Sequence, residues 1–180
     1  MDKAEEFFSN NSFENCFAFN QVLGLSCNAY HGKLHESKKY IANLLGEYGY
    51  SIEHENVYYS IDLNTAQQVE IDDYIQIIKS GVNEHSKEEI CFIYKNEKIG
   101  ESVILYLDNI KIVYMNTIWI DNSYSNKGFG SKFIKLICNN LWLNGYARLD
   151  LDTAKNNLGA QRFYERNGFI NKGITRSYFK

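Results

Sequence analysis

The segment 125–131, which contains Gly128 and Gly130, separates a predicted strand from a predicted helix. Before it, residues 114–120 are rich in aromatic and β-branched side chains, which is typical of a strand. After it, apolar residues recur at helical spacing as far as Asn144. Glycine lets the backbone approach a ligand closely, and the first N–H groups of a helix have no intrahelical acceptor. The segment therefore predicts an anion-binding turn, with a phosphate or pyrophosphate as its expected ligand.

The composition indicates a globular protein of one domain. The chain has 180 residues, of which 44% are hydrophobic and 15% aromatic, enough to build a full core. No stretch is apolar over the length that a membrane helix needs, and the first residues lack the basic start and apolar core of a signal peptide. We therefore expect a cytoplasmic protein that does not associate with membranes.

The net charge and the positions of histidine and cysteine limit the kinds of ligand that the chain is expected to bind. The net charge is −3 and no basic run is present, so nucleic-acid binding is not expected, whereas a cationic small molecule suits the mild acidity. The spacing of the histidines and cysteines matches no metal site; His31 and His35, four residues apart, favour solvated or capping roles over zinc. The cysteines are far apart in the sequence and are expected to be reduced thiols: Cys16, Cys27, Cys91 and Cys138.

The first half of the chain contains three predicted elements. A helix is expected within 34–48, opened by residues 35–37 and stopped at Gly49. A strand is expected over 57–63. A capping box between Thr65 and Gln68 then predicts a second helix that ends near Gly81 and holds Tyr74, Ile75 and Ile78.

The second half predicts a run of strands followed by alternating helices and strands. Strands over 90–94 and 99–107 flank a turn at 95–98 and predict a hairpin, and a third strand covers about 111–120. After the glycine turn and its helix, the pattern predicts a strand near 147–153, a helix over about 157–166 closed by Asn167 and Gly168, and one or two short strands within 169–179. This order describes a mixed α/β domain.

A second motif distinguishes this glycine turn from the phosphate-binding loops of other protein families. The turn lacks the third glycine of the dinucleotide fingerprint and the Gly-Lys-Ser/Thr ending of a nucleotide P-loop. Downstream, however, five residues stand in the pattern Asn-x-x-Ala-x-x-x-Tyr-x-x-x-Gly-Phe: Asn157, Ala160, Tyr164, Gly168 and Phe169. With this pattern following the 125–130 turn, the chain resembles the GNAT superfamily of N-acetyltransferases.

The resemblance covers roughly 57–180 and implies the fold of that superfamily. The expected fold is a splayed, mostly antiparallel central sheet flanked by helices. Residues 1–56 resemble nothing in the family and are expected to form an N-terminal extension of helices and a short strand, with no assigned role.

The resemblance also implies acetyl-CoA as acyl donor. The pyrophosphate would bind the main-chain amides of the turn and its helix start, and Lys127 would add a charge, which gives the set Ser125, Asn126, Lys127, Gly128, Phe129, Gly130 and Ser131. The pantetheine arm would pair with the backbone of Ile118, Trp119 and Ile120 along the third strand of the run. Asn157 would bind the arm from the other side.

The resemblance makes Tyr164 the general acid that protonates the departing thiolate, after direct attack of an amine within a ternary complex. The general base stays open, because the strand position that carries a carboxylate in many relatives holds Asn116 and Thr117. The candidates are Glu101, Asp121, Asp150, Asp152, and water relayed through Tyr114 or Asn116.

The leading functional hypothesis is transfer of an acetyl group to the primary amine of a small polar acceptor. Ser125 stands where relatives carry Gln or Arg, a departure that motivates a competing hypothesis, a catalytically weak acyl-CoA-binding regulatory module. A protein or peptide N-acetyltransferase and a plain interaction domain are two further hypotheses. The oligomeric state is open, and a homodimer is one possibility.

Overall fold

The structure of the protein is a computed structural model that describes residues 2–11, 15–19, 33–67, 69 and 74–180. Four α-helices are described: α1 (Asp2–Asn10), α2 (Lys39–Glu47), α3 (Phe129–Leu143) and α4 (Leu158–Arg166). Nine strands are described: β1 (Phe17–Ala18), β2 (Leu34–His35), β3 (Ser51–Asp62), β4 (Ile75–Lys79), β5 (Lys87–Tyr94), β6 (Glu97–Leu107), β7 (Ile112–Ile120), β8 (Arg148–Ala154) and β9 (Ile170–Phe179).

The strands hydrogen-bond in the order β1-β9-β3-β8-β7-β6-β5-β4, and β2 also pairs with β9. The sheet is mostly antiparallel, with β7 and β8 parallel to each other. This arrangement confirms the predicted mixed α/β class. No helix in the described part of the chain combines the length and apolar character needed to cross a bilayer.

The chain divides into two compact units. The first comprises Met1–Tyr58, Thr153–Asn156 and Gly173–Lys180. The second comprises Tyr59–Asp152 and Asn157–Lys172, so it contains the glycine turn and Tyr164.

The second unit is built on α3 packed against the antiparallel strands β4 to β7. The Phe133 ring of α3 stacks on the Phe92 ring of β5, with centroids 4.0 Å apart and planes 5° from parallel. Both rings are fully buried. Burying such a side chain stabilises the fold by about 1.5–3 kcal/mol. Fully buried apolar side chains on α3 and four strands include Ile134, Ile137, Leu141, Ile90, Ile104, Met115, Leu149 and Leu151.

The first unit has a small core of its own. Leu34, Leu45, Tyr50 and Tyr178 are buried together, with partly buried side chains of α2 and the β1 segment packed on them. Here β9 pairs antiparallel with both β1 and β2. Beside them, α2 ends where Gly49 adopts φ +81°, and Tyr50 N–H donates to the Leu45 carbonyl at 3.0 Å. Gly49 therefore stops the helix, as the sequence predicts.

Two predicted helices differ from the structure. The helix expected within 34–48 begins only at Lys39, because Leu34 and His35 pair with β9 as a strand. The helix expected to hold Tyr74, Ile75 and Ile78 is wrong: residues 75–79 form β4 and pair with β5. Its β-branched side chains fit a strand, and backbone pairing along β5 outweighs their helical spacing. Gln68 of the predicted capping box lies outside the described residues.

The hairpin is confirmed with a tighter turn than predicted. Lys95 and Asn96 both adopt positive φ, +50° and +66°, which is the geometry of a two-residue type I′ turn. The strand β6 therefore begins at Glu97 instead of after Lys98. The strand predicted at 57–63 is also longer, beginning at Ser51, whereas the final segment forms the single strand β9.

A substitution at Gly100 tests how closely β6 and β7 pack against each other. A Cβ at this position would lie 2.4 Å from the Trp119 carbonyl oxygen, and that atom belongs to backbone that cannot move freely. We expect Gly100→Ala to destabilise the protein by about 1–3 kcal/mol. The matched control is Gly46→Ala in α2, where a Cβ meets nothing within 4 Å, and which should stabilise by about 0.5–1 kcal/mol. Urea unfolding measures both; equal effects would contradict the close packing at Gly100.

Candidate active site

The connection from β7 to α3 begins with a capped turn. The Asp121 carboxylate accepts hydrogen bonds from the Ser123 hydroxyl and from Ser123 N–H, the latter at 2.8 Å. These two hydrogen bonds hold the pKa of Asp121 below its ordinary value. The Ser125 hydroxyl donates to the Asp121 carbonyl at 3.3 Å, so both residues shape the turn. Asp121 is thus an ionised capping group, which makes it a weaker proton acceptor than an unperturbed carboxylate.

Two left-handed residues then orient the backbone toward solvent. Asn126 and Gly128 adopt φ values of +59° and +84°, and residues 126–128 are exposed. Gly128 is the N-cap of α3 and provides no side-chain cap, and the first helical bond runs from Lys132 N–H to the Gly128 carbonyl. The N–H groups of the first turn therefore have no intrahelical acceptor. Main-chain amides left without acceptors at a helix start are the kind of group that can hold an anion.

Gly130 allows α3 and α4 to approach each other. A Cβ at Gly130 would lie 3.1 Å from two ring carbons of Phe163 on α4. A side chain at position 130 would require the Phe163 ring to shift by a few tenths of an ångström. The second glycine of the motif therefore serves helix packing, while Gly128 serves the backbone turn.

Several aromatic side chains that were not predicted from the sequence pack around the loop. The Tyr124 hydroxyl donates to Glu97 at 2.9 Å, and the Lys127 ammonium lies 5.8 Å from the Tyr124 ring centroid. Phe129 packs on Tyr94 with centroids 4.7 Å apart. These contacts hold the loop against the β5–β6 hairpin. In the sequence, aromatic residues are concentrated at the hairpin turn and in the loop. Only the tertiary fold brings these two segments into contact.

The strand edge beside the loop is open. The parallel pairing of β7 with β8 covers Ile112–Met115 against Arg148–Leu151. Beyond Met115, β7 pairs among the described strands with β6 alone. Its register with β6 shifts at Asn116, which has no partner and so forms a bulge. In residues 117–120, every second residue points its backbone N–H and C=O groups away from β6. These groups lie on an edge that none of the described strands pairs with, and this edge contains Ile118, Trp119 and Ile120.

Tyr164 occupies a buried aromatic setting on α4. Its side chain is 8% exposed, and its ring lies 5.9 Å from Tyr59 and 5.7 Å from Phe169 between centroids. Burial and the nearby negative charge of Asp152 raise the pKa of Tyr164 to about 12. The phenol is therefore protonated at neutral pH and can donate a proton.

Tyr59 is a supporting residue that the sequence does not distinguish from its neighbour Tyr58. The Tyr59 side chain is fully buried, and its hydroxyl donates to Glu165 at 2.9 Å. Burial and this carboxylate raise the pKa of Tyr59 to about 12. Its hydrogen bond to the residue after Tyr164 restrains α4 beside the Tyr164 ring.

The four carboxylates proposed as bases from the sequence have different environments. Glu101 lies on β6 opposite Trp119, and Lys98 Nζ contacts its Oε2 at 2.5 Å. The hydrogen bond from Lys98, followed by one from Trp119, holds the pKa of Glu101 below its ordinary value. Asp150 is buried and accepts from Arg148 Nε at 3.1 Å and Nη2 at 2.8 Å. Asp152 is half-buried on the same strand.

Asn157 has a structural role at the start of α4. Its side-chain oxygen accepts a hydrogen bond from Ala160 N–H at 3.1 Å, which caps the helix. Asn157 as a whole is exposed to solvent. Its side-chain oxygen is therefore committed to the fold, while the cap leaves its NH₂ group uninvolved.

A family model described as the Acetyltransferase (GNAT) family matches residues 51–169. This match covers well over half of the chain, and the protein therefore belongs to the GNAT family of acetyltransferases, as its two sequence motifs indicate. No curated protein sequence matches the chain significantly.

Solved structures show the same fold at low sequence identity. A GCN5-related N-acetyltransferase from Sphaerobacter thermophilus superposes with a TM-score of 0.62 at 12% identity, over 82% of this chain and 58% of that one. One from Kribbella flavida gives 0.62 at 11% identity, over 78% and 63%. A tandem GNAT protein from the clavulanic acid biosynthesis pathway gives 0.67 at 7% identity, over 99% and 67%. The chain thus spans about three fifths of the length of the first two.

The Asn157 cap can be tested through stability. We expect Asn157→Ala to destabilise the protein by about 1 kcal/mol, because the Ala160 N–H loses its acceptor. Asn157→Asp is the matched control, since a carboxylate oxygen caps equally well. Urea unfolding of both variants measures the difference; identical losses would contradict the capping role.

Proposed function

We propose that this protein transfers the acetyl group of acetyl-CoA to the primary amine of a small polar acceptor, by direct attack within a ternary complex. The proposal rests on one observation: the loop at 126–131, which offers main-chain amides, directly follows the open edge of β7 along the chain. A helix start suits a pyrophosphate, and a strand edge suits an extended chain that carries amides, so a single surface of the second unit suits both parts of coenzyme A.

The loop would hold the pyrophosphate through its main-chain amides. Its geometry fits such a group, because a Cβ on Gly128 would meet nothing within 4 Å and Gly128 leaves the helix start without a capping side chain. Lys127 would add a positive charge, and Ser125 would keep the preceding turn in shape through its hydrogen bond to the Asp121 carbonyl. Asn126, Phe129, Gly130 and Ser131 would contribute backbone.

The open edge would hold the pantetheine arm. The N–H and C=O groups of Ile118, Trp119 and Ile120 would pair with its two amides as a neighbouring strand does. An N–H group at this edge would also polarise the thioester carbonyl, where negative charge develops during attack. The NH₂ group of Asn157 would bind the arm from α4, and Asn157→Asp would remove this donor while retaining the helix cap.

Tyr164 would act as general acid. Burial and the Asp152 charge keep its phenol protonated at neutral pH, so a proton is available when the thiolate departs. Its ring is restrained by Tyr59 and Phe169, so little reorganisation is needed at the moment of transfer. The mild negative charge of the chain favours a cationic amine as acceptor.

The direct test is release of thiol from acetyl-CoA against a panel of amines that includes polyamines, amino sugars, amino acids and peptides. Turnover with small polar amines is expected. Turnover with peptides alone would favour a protein acetyltransferase. Acetyl-CoA binding without turnover on any amine would contradict the proposed activity and favour a binding module.

The anion-binding role of the loop can be tested with two matched glycines. Gly128→Glu is expected to weaken acetyl-CoA binding by at least about tenfold, because a carboxylate in the loop repels the pyrophosphate. Gly145→Glu at the other end of α3 is the control: its φ is +77°, and a Cβ there also meets nothing within 4 Å. Calorimetric titration with acetyl-CoA measures both, and equal losses would show that the loop is not the site.

The role of Tyr164 can be tested by removing one hydroxyl. Tyr164→Phe is expected to lower kcat by about 10²-fold and to leave acetyl-CoA affinity near wild type, because the lost proton donor acts only during transfer. Tyr146→Phe is the control; it removes a hydroxyl that binds Asp108, and it lies beyond the C-terminal end of α3. Unchanged turnover in Tyr164→Phe would exclude the acid role.

A further inference from the structure

A cavity in the second unit is lined by residues other than those proposed to hold coenzyme A. It has a volume of about 360 Å³ and lies between the second half of α3 and the strands β4, β5 and β6. Voids larger than one water molecule are few in a protein interior, and at about 30 Å³ per water this cavity equals about twelve. Small-molecule sites have volumes of about 300–1,000 Å³. The cavity therefore has the size of a small-molecule site.

The wall of the cavity is mostly aliphatic. The edge strand β4 contributes Ile75 and Ile77, and α3 contributes Leu136 and Ile137. Further isoleucine and leucine side chains come from β5, β6 and α3. A cavity lined by such side chains binds apolar molecules in preference to water, because covering apolar surface is favourable. The body of a ligand in this cavity is therefore expected to be a hydrocarbon.

Two polar side chains line the cavity among the described residues, and both can donate hydrogen bonds to a ligand. The Lys79 ammonium of β4 donates to the side-chain oxygen of Asn140 on α3. This bond occupies the oxygen of the Asn140 carboxamide and leaves its NH₂ group as a donor. The polar group of a ligand should therefore be a hydrogen-bond acceptor.

The positive charge of Lys79 is balanced by a carboxylate of the fold. Glu88 Oε2 lies 3.4 Å from Lys79 Nζ, and the Glu88 side chain is buried. The same oxygen accepts a hydrogen bond from the Tyr106 hydroxyl at 2.5 Å, which holds the carboxylate in place. A ligand carboxylate at Lys79 would put a second negative charge beside Glu88, and a ligand ammonium would be repelled by Lys79. The charges therefore favour a neutral acceptor such as a carbonyl oxygen.

We propose that this cavity binds a neutral, apolar carbonyl compound. The hydrocarbon part lies between β4 and α3, and the carbonyl oxygen accepts hydrogen bonds from Lys79 and Asn140. The site is additional to the proposed acetyl transfer and does not depend on it. A bound molecule adds contacts between α3 and an edge strand, so binding should also raise the melting temperature.

The first test compares three molecules with nine carbon atoms and different polar groups: 2-nonanone, nonanoate and nonylamine. At pH 7 the second is an anion and the third a cation. Calorimetric titration should show one molecule of 2-nonanone bound to the wild-type protein, and at least about tenfold weaker binding of the two charged molecules. Saturating acetyl-CoA should leave the affinity for 2-nonanone unchanged.

The second test changes the polar end of the cavity. Lys79→Met should lower the affinity for 2-nonanone about fivefold, because one hydrogen bond is lost. The same variant should bind nonylamine at least about tenfold more tightly than the wild-type protein does, because the ligand's ammonium replaces that of Lys79 beside Glu88. A merely structural role of Lys79 would not reverse the preference in this way. Lys87→Met, an exposed change at the start of β5, is the matched control.

The third test fills the cavity and leaves its polar groups in place. Leu136→Trp should abolish binding of 2-nonanone, because the indole occupies the space of the hydrocarbon part. Leu143→Trp is the matched control, since Leu143 lies on the same helix and is 74% exposed. Circular dichroism of every variant checks that the fold is retained.

Three results would overturn the inference. Equal affinities for the three nine-carbon molecules would show that apolar surface alone is bound, without recognition at Lys79. Unchanged binding of 2-nonanone in Leu136→Trp, or its displacement by acetyl-CoA, would place the ketone elsewhere on the protein. A wild-type protein that binds acetyl-CoA but not 2-nonanone would exclude this site and leave the proposed function intact.

Discussion

The stacking of Phe133 on Phe92 determines where the rest of the second unit can lie. The two rings face each other at 4.0 Å, and through them α3 is seated on the inner face of β5 with its first turn near the end of β7. β7, the strand that precedes the loop, also approaches β6 closely at Gly100. The loop connects β7 to α3, and its residues Asn126 and Gly128 adopt the left-handed conformation.

A second constraint is the extra residue in β7. Asn116 has no partner on β6, and the pairing with β8 ends one residue earlier, at Met115. A bulge increases local twist, so it turns the end of β7 away from the parallel neighbour that the first half of the strand has. The open edge of β7 therefore begins directly after this irregularity.

Local signals were sufficient for much of the fold and for part of the site. The strand–glycine–helix sequence around Gly128 and the hairpin at Lys95 depend on neighbouring residues alone, and both were predicted from composition and spacing. The strand β4 was not, because Ile75, Ile77 and Ile78 satisfy helical and extended patterns alike and only the backbone of β5 decides between them.

The contact between Gly130 and Phe163 makes two distant positions interdependent. They are separated by a strand and a turn in sequence, yet a methyl group at 130 and the phenyl ring at 163 would compete for the same volume. Changes at the two positions should be non-additive, with a smaller side chain at 163 rescuing alanine at 130. Since α3 follows the loop and α4 carries Tyr164, the contact between Gly130 and Phe163 joins the two helices on which the candidate active site is built.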